Sequence, residues 1–135
     1  MPGFDMHVHS TASDGAHSPA ELVRMAKETE LLGMALTDHD TAAGYAEAAA
    51  EAEKLDFTVI PGIELSSEHN EKDVHILGYR ISPEAIDNDE KLVHMRKTRF
   101  ARCYDMVARL NRLGWNWTRT AFWRRRRTAA RRGGR

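Results

Sequence analysis

The chain opens with an alternation. In "FDMHVHS", Phe4, Met6 and Val8 fall on one side of an extended segment, and Asp5, His7 and His9 fall on the other. That period of two predicts a strand with one apolar and one polar face. "SDG" at 13–15 is turn chemistry. The period then changes. "SPAELVRMAKETELLG" carries helix signals: Ser18 as N-cap, Pro19 at the first helical position and Glu21 closing a capping box. Leu22, Met25, Ala26, Thr29 and Leu32 are expected on its inward face, with Gly33 as its C-terminal stop. "MALTD" (34–38) reads as a second strand, and an alanine-rich helix follows from about Ala42 to Leu55. "FTVIPGIELSS" reads as a third strand, which Pro61-Gly62 should interrupt with a bend or bulge. "DVHILGY" is a fourth. One long helical pattern then runs from about Pro83 to Leu113, with Leu92, Met95, Phe100, Cys103, Met106, Val107 and Leu110 at helical spacing and Gly114 at its end.

The order β-α-β-α-β-β-α predicts an α/β fold with mostly parallel strands. Functional groups in such folds gather at the carboxyl ends of strands. The notable polar residues fall there: His7 and His9 late in the first strand, Asp38-His39-Asp40 after the second, and Glu64 late in the third.

From about Trp115 the periodicity stops, and charge divides at nearly the same place. Residues 1–117 hold 12 Lys+Arg against 20 Asp+Glu, while residues 118–135 hold eight arginines and no acid. The net charge of zero therefore conceals two unlike parts. A hydrophobic content of 41% and a charged content of 30% suit a globular domain. The single cysteine, Cys103, excludes an internal disulfide and suits a reducing compartment, so a cytoplasmic location is expected. The start lacks the regions of a signal peptide, and no apolar run approaches the roughly 20 residues of a membrane helix. No membrane partner is expected.

Two imidazoles at i and i+2 of a strand stand about 6.5–7 Å apart on one face, close enough to grip one cation. Imidazole suits zinc, iron or manganese, and carboxylates add charge and can bridge. His39 offers a third imidazole with carboxylates on either side to orient it. Glu64 can bridge two ions, His75 is a further imidazole, and Asp14 is held in a turn by Gly15. Each residue alone has a plainer reading. A strand histidine is more often a hydrogen-bonded structural residue, Asp14 alone is a turn former, and Glu64 alone is a solvated strand end. HxH followed by SDG, then TDHD at 37–40 and PGIE at 61–64, outweighs those separate readings.

"DMHVHSTASDG", "ALTDHDT", "PGIELS" and "DVHILGY" closely resemble the first motifs of the polymerase-and-histidinol-phosphatase (PHP) domain, over residues 4 to about 114. The nearest resemblance is to its stand-alone metal-dependent phosphoesterases. It implies the N-terminal part of a distorted (βα)7 TIM-like barrel, with two or three divalent ions (manganese, zinc or iron). It implies hydrolysis of phosphoesters in nucleotides or short RNA by in-line attack of a metal-activated water. By position, it implies His7 and His9 as ligands of one ion and Asp14 and His39 as ligands of another. Glu64 corresponds to the bridging carboxylate and His75 to a further ligand. Asp5 and Asp40 fit places around these ligands rather than on the ions. Arg96, Arg99 and Arg102 are candidates to contact a substrate phosphate, against the reading that they form the solvated face of an amphipathic helix. His17, His69 and His94 match no motif position.

The resemblance implies a chain about twice this length, with later histidine and Asp-x-His motifs that do not follow residue 80. The expectation is therefore a PHP N-terminal half at 1–114 and a non-family, disordered or frameshifted end at 115–135, in a truncated copy. The expected partner is a phosphorylated small molecule or oligonucleotide; whether another chain completes the barrel stays open. The competing readings are a histidinol-phosphate phosphatase, an inactive fragment, a non-catalytic structural domain, and a nucleic-acid-binding module built on "RRRR" and its neighbouring tryptophans.

Overall fold

A computed structural model describes residues 3–118, so most of the segment assigned above to a non-family end lies outside the described residues. In chain order the elements are β1 (Phe4–Val8), α1 (Pro19–Glu28), β2 (Gly33–Leu36), α2 (Tyr45–Leu55), β3 (Thr58–His69), β4 (Lys72–Tyr79), α3 (Pro83–Asn88) and α4 (Glu90–Arg112). The strands form one sheet in the order β1-β2-β3-β4. The first two pairings are parallel and the last is antiparallel. This is a mixed α/β fold with a curled sheet.

The α1 capping box forms as the sequence predicts: Glu21 N–H donates to Ser18 Oγ at 3.2 Å, and Ser18 N–H donates to Glu21 Oε2 at 2.8 Å. The helix stop is different. Thr29 Oγ1 donates back to the Met25 and Ala26 carbonyls, and Glu30 turns to φ 58, so α1 closes at Glu28, well before Gly33. Gly33 instead begins β2, where a Cβ would press on the Phe4 ring and stand 2.8 Å from Thr58 O. The buried face of α1 runs through Pro19, Val23 and Ala26, while Met25 and Leu32, expected inside, are 44% and 56% exposed. The core between the helices and the sheet is built from Val23, Ala26, Met34, Leu36, Ala48 and Ala52. Alanines on α2 let that helix approach closely. It begins at Tyr45 rather than Ala42, because Ala42 serves the preceding turn by accepting the Tyr45 N–H at 2.9 Å.

Pro61-Gly62 does not interrupt β3; it changes the strand's partner. Thr58–Pro61 pairs with β2 in parallel, and Gly62–His69 pairs with β4 antiparallel. Pro61 has no N–H for a ladder bond, but its carbonyl accepts the Arg80 N–H at 2.7 Å. At Gly62 a Cβ would stand 3.1 Å from each of the Leu36 and Gly78 carbonyl oxygens, so the residue without one allows both neighbours in. Asn70 and Glu71 close the hairpin with φ of 51 and 61, the signature of a two-residue primed turn. Tyr79 Oη donates to Met6 O at 2.9 Å, although β2 and β3 lie between their strands. A flat sheet would hold β1 and β4 about 14 Å apart, so this bond records how strongly the sheet curls.

The long helical pattern also divides. Asp89 takes an extended conformation and caps α4 by accepting the Leu92 N–H at 3.0 Å, which leaves α3 as a separate short helix. On α4, Leu92, Cys103 and Val107 are buried as their spacing predicts, whereas Phe100 and Met106 are about half exposed. No helix among the described residues is long and apolar enough to cross a membrane.

Replacing the fully buried Met34 by alanine should lower stability by about 2–5 kcal/mol. Met25→Ala should change it by no more than about 0.5 kcal/mol. Urea denaturation followed by circular dichroism measures both, and equal losses would contradict the burial described above.

Candidate metal centre

β1 delivers His7 and His9 to one face of the sheet, and the loop that follows is tied down at once. Gly15 N–H donates to Ser10 O at 2.8 Å. A Cβ at Gly15 would run into the His9 carbonyl and stand 2.8 Å from the Ser10 carbonyl carbon, so this loop needs glycine. The loop is anchored on Asp38, which is 1% exposed. Asp38 accepts Ser10 N–H and Ser10 Oγ–H at 2.7 Å each and Ser13 Oγ–H at 2.6 Å.

His39 follows at a single bridge to β3, where Asp40 N–H donates to Glu64 O at 3.0 Å and Glu64 N–H donates to Asp38 O at 3.2 Å. Asp40 then turns left-handed, with φ 55. Its buried carboxylate accepts Ser66 N–H at 2.8 Å and pairs with Arg99 Nη2 at 2.7 Å. The two acids beside His39 thus pull in opposite directions, one toward the loop after β1 and one toward β3 and α4.

Glu64, 4% exposed, lies at the middle of the cluster. Its Oε2 is 3.1 Å from His7 Nε2, 2.9 Å from His9 Nε2 and 3.4 Å from His39 Nδ1. Its Oε1 is 2.8 Å from His75 Nδ1. His75 pairs with Ser66 in the antiparallel ladder, so it meets Glu64 along the cross-strand diagonal. Asp14 stands 3.4 Å from His9 Nδ1 and 3.7 Å from His39 Nε2. The six residues singled out from the sequence therefore meet in one place, as three overlapping groups: His7-His9-Glu64, His9-Asp14-His39 and His39-Glu64-His75.

Protonation follows from these surroundings. Burial is the largest influence on His39 and holds it below the ordinary imidazole value, outweighing the upward pull of Asp14 and Glu64. Burial pushes Glu64 upward most strongly of any single cause. Hydrogen bonds from His7 and His75, with the charges of His39 and His9, together outweigh it and leave the carboxyl below its usual range.

The donor set fits a divalent cation. His7 Nε2, His9 Nε2 and Glu64 Oε2 form a triangle with sides of 2.9, 2.9 and 3.1 Å. Donors about 2.1 Å from an octahedral ion at right angles stand about 3 Å apart. Two imidazole nitrogens facing each other at 2.9 Å need a proton or a cation between them. Among the described residues, the buried Nδ1 atoms of His9 and His39 also lack a hydrogen-bond partner, since the carboxylate oxygens 3.4 Å away are not suitably aligned.

Asp5 Oδ1 accepts the His7 N–H at 3.2 Å, so it acts on the strand backbone. Arg96 donates to the carbonyls of Asp40 at 2.8 Å and Asp87 at 3.1 Å. Arg99 adds a 2.7 Å bond to Ser66 Oγ. Asp38, Ser10 and Ser13 carry the loop but were not singled out for that role. Their only signal was an acid closing an otherwise apolar strand. A cavity of about 780 Å³ opens beside the cluster, with His39 and His75 on one wall and α4 on the other.

A curled α/β sheet that gathers imidazoles and carboxylates at its strand ends defines the class: a domain with a candidate multinuclear metal centre. The family model for the PHP domain matches residues 5–126, and the chain belongs to that family. It is 37% identical over 114 residues to a 3',5'-nucleoside bisphosphate phosphatase of Chromobacterium violaceum, covering 84% of this chain and 40% of that one. It is 41% identical over 80 residues to the 5'-3' exoribonuclease Rnm of Escherichia coli, covering 58% and 27%. Among solved structures, a Bifidobacterium adolescentis protein classed as a metal-dependent phosphoesterase superposes with a TM-score of 0.80 at 32% identity, covering 88% of this chain and 41% of that one. The chain thus spans two-fifths or less of the length of these curated relatives.

Asp38→Asn should weaken Mn²⁺ binding about 10- to 100-fold, by releasing the loop that carries Asp14. Isothermal titration measures it; unchanged affinity would remove Asp38 from any part in shaping the centre.

Proposed function

We propose that this chain carries a PHP-type phosphoesterase centre that hydrolyses phosphoesters of nucleotides or short RNA with two or three bound divalent ions, manganese, zinc or iron. In the same reading, its four strands are the N-terminal part of a distorted (βα)7 barrel. The observation that carries this reading is Glu64: one buried carboxylate whose Oε2 faces three imidazoles and whose Oε1 faces a fourth. The names of the phosphatase and exoribonuclease relatives support the substrate class.

In this reading His7, His9 and Glu64 would hold one ion. Asp14 and His39 would hold another, and His75 would add a further ligand. A bound cation would supply Lewis acidity toward phosphoryl oxygens and lower the pKa of a coordinated water far below that of bulk water. The side chains do the rest. Burial lowers the His39 pKa and so favours the neutral ring, which has one unprotonated nitrogen for a cation. Glu64 stays ionised under the combined influence of the histidines. Asp40 stands outside the donor groups and fixes the direction of His39 through Ser66 and Arg99. Arg99 lines the cavity, and its guanidinium has more N–H donors than Asp40 and Ser66 consume. Those remaining donors are in position to orient a phosphate, while Arg96 anchors the helix that presents them.

The test is phosphate or nucleotide release from adenosine 3',5'-bisphosphate and a 5'-phosphorylated oligoribonucleotide by Mn²⁺-loaded protein. Chelator should abolish it. Glu64→Gln should lower it at least about 100-fold and reduce the bound metal measured by mass spectrometry. Turnover that survives both metal removal and Glu64→Gln would overturn the proposal.

A further inference from the structure

β1 does not pair evenly with β2. The ladder runs Phe4–Gly33 and Asp5–Met34, then resumes at Val8–Leu36. Three steps along β1 are thus matched by two along β2, so Met6 and His7 share the place opposite Ala35. An extra residue of this kind interrupts the ladder and re-aims the side chain it carries. Here that side chain is His7, whose Nε2 stands 3.1 Å from Glu64 Oε2. It is 49% exposed, so packing does little to hold its direction. The peptide between Met6 and His7 is held from elsewhere. Its carbonyl accepts Tyr79 Oη–H at 2.9 Å, and its N–H donates to Asp5 Oδ1 at 3.2 Å. Past the bulge the strand is secured again: Thr37 N–H donates to Val8 O at 2.8 Å, and Val8 N–H donates to Thr37 Oγ1 at 3.2 Å. Tyr79 lies four residues beyond His75 on β4 and, by alternation, on the same face. β4 therefore brings His75 to one oxygen of Glu64 directly, and through Tyr79 it reaches the peptide that carries His7 to the other.

We infer that Tyr79 is a positioning residue for His7: its hydroxyl, with Asp5 on the other side, clamps the bulged Met6–His7 peptide in the orientation that turns the imidazole onto Glu64. Rotation of an unclamped peptide would swing the His7 Cα–Cβ bond away from the carboxylate. The inference rests on the metal centre of the proposed function and adds to it a residue outside the three donor groups. It also gives the curl of the sheet a local purpose, because Tyr79 meets Met6 across two intervening strands.

The test uses the full chain, first without metal and then with Mn²⁺. Tyr79→Phe keeps the ring and removes only the hydroxyl. In metal-free protein, long-range ¹H–¹⁵N spectra of the imidazoles should show the His7 resonances displaced in this variant, with those of His9 following through their contact. The His39 and His75 resonances should stay in place. In isothermal titration, Tyr79→Phe should weaken by about 3- to 10-fold the Mn²⁺ step that His7→Ala removes, and leave the remaining binding unchanged. Asp5→Ala should reproduce both effects, whereas Asp5→Asn, which keeps the acceptor oxygen, should behave as wild type. His7 resonances that do not move in Tyr79→Phe overturn the inference, whether or not metal binds. So does an equal displacement of all these imidazoles or an equal loss at every Mn²⁺ step, since either would mean that the bond supports the fold alone. A wild type that takes up no Mn²⁺ while the His7 resonances move as expected upholds the positioning and counts against the proposed function.

Discussion

A carboxylate taken out of water must be met by cations or by donors, or it will not stay ionised. Glu64 is that carboxylate here, and the architecture can be understood as the means of meeting it. Four imidazoles reach it: two from β1 and its end, one from β4 and one from the loop after β2. None is adjacent in the chain to Glu64, so the sheet must curl to bring them in. The Tyr79–Met6 bond across two intervening strands records that curl. The requirement also explains why β3 is one continuous strand: Glu64 lies just beyond the point where its partner changes from β2 to β4, so both His39 and His75 stand beside it.

The TDHD segment shows how little freedom the centre retains. Asp38 and Asp40 are both buried and both fully committed, one to serines that follow β1 and the other to Ser66 and Arg99. His39 lies between two anchors that face opposite ways, which fixes the backbone that carries its ring. The same anchors join three otherwise separate parts of the chain: the loop after β1, the end of β3 and the helix α4. Arg96 strengthens the last of these by bonding to the Asp40 carbonyl. A wall of the cavity is thereby locked to the cluster it faces.

Much of this was legible because the signals were local. The HxH alternation, the capping box and the turn glycine at 15 depend on neighbours within a few residues. The convergence of His7, His9, Asp14, His39, Glu64 and His75 was legible at a distance only because each lies at a strand end in an α/β order. What escaped depended on partners far along the chain. Gly33 reads as a helix stop until Phe4 and Thr58 are beside it. Pro61-Gly62 reads as a break until β4 arrives to take over the ladder. Asp38 reads as an ordinary orienting acid until Ser10 and Ser13, 28 and 25 residues away, close on it. On the inward face of α1 the expectation holds at Leu22 and Ala26 and fails at Met25 and Leu32, which are as apolar as the buried Val23; only the sheet selects among them.

The two-residue turn at Asn70-Glu71 has a consequence for how the centre comes into being. It places Glu64 and His75 only 11 residues apart in the chain, whereas His7 is 57 residues from Glu64. Chain closure grows with the logarithm of the loop, so the longer contact carries about 1.5 kcal/mol more entropic penalty than the shorter. Hairpins also form in about 1–10 μs, ahead of parallel pairings between distant strands. The β3–β4 hairpin therefore holds a ready-made carboxylate–imidazole pair early in collapse, and β1 docks onto it late, carrying two of the other three imidazoles. For the N-terminal strand, folding and site assembly are one event.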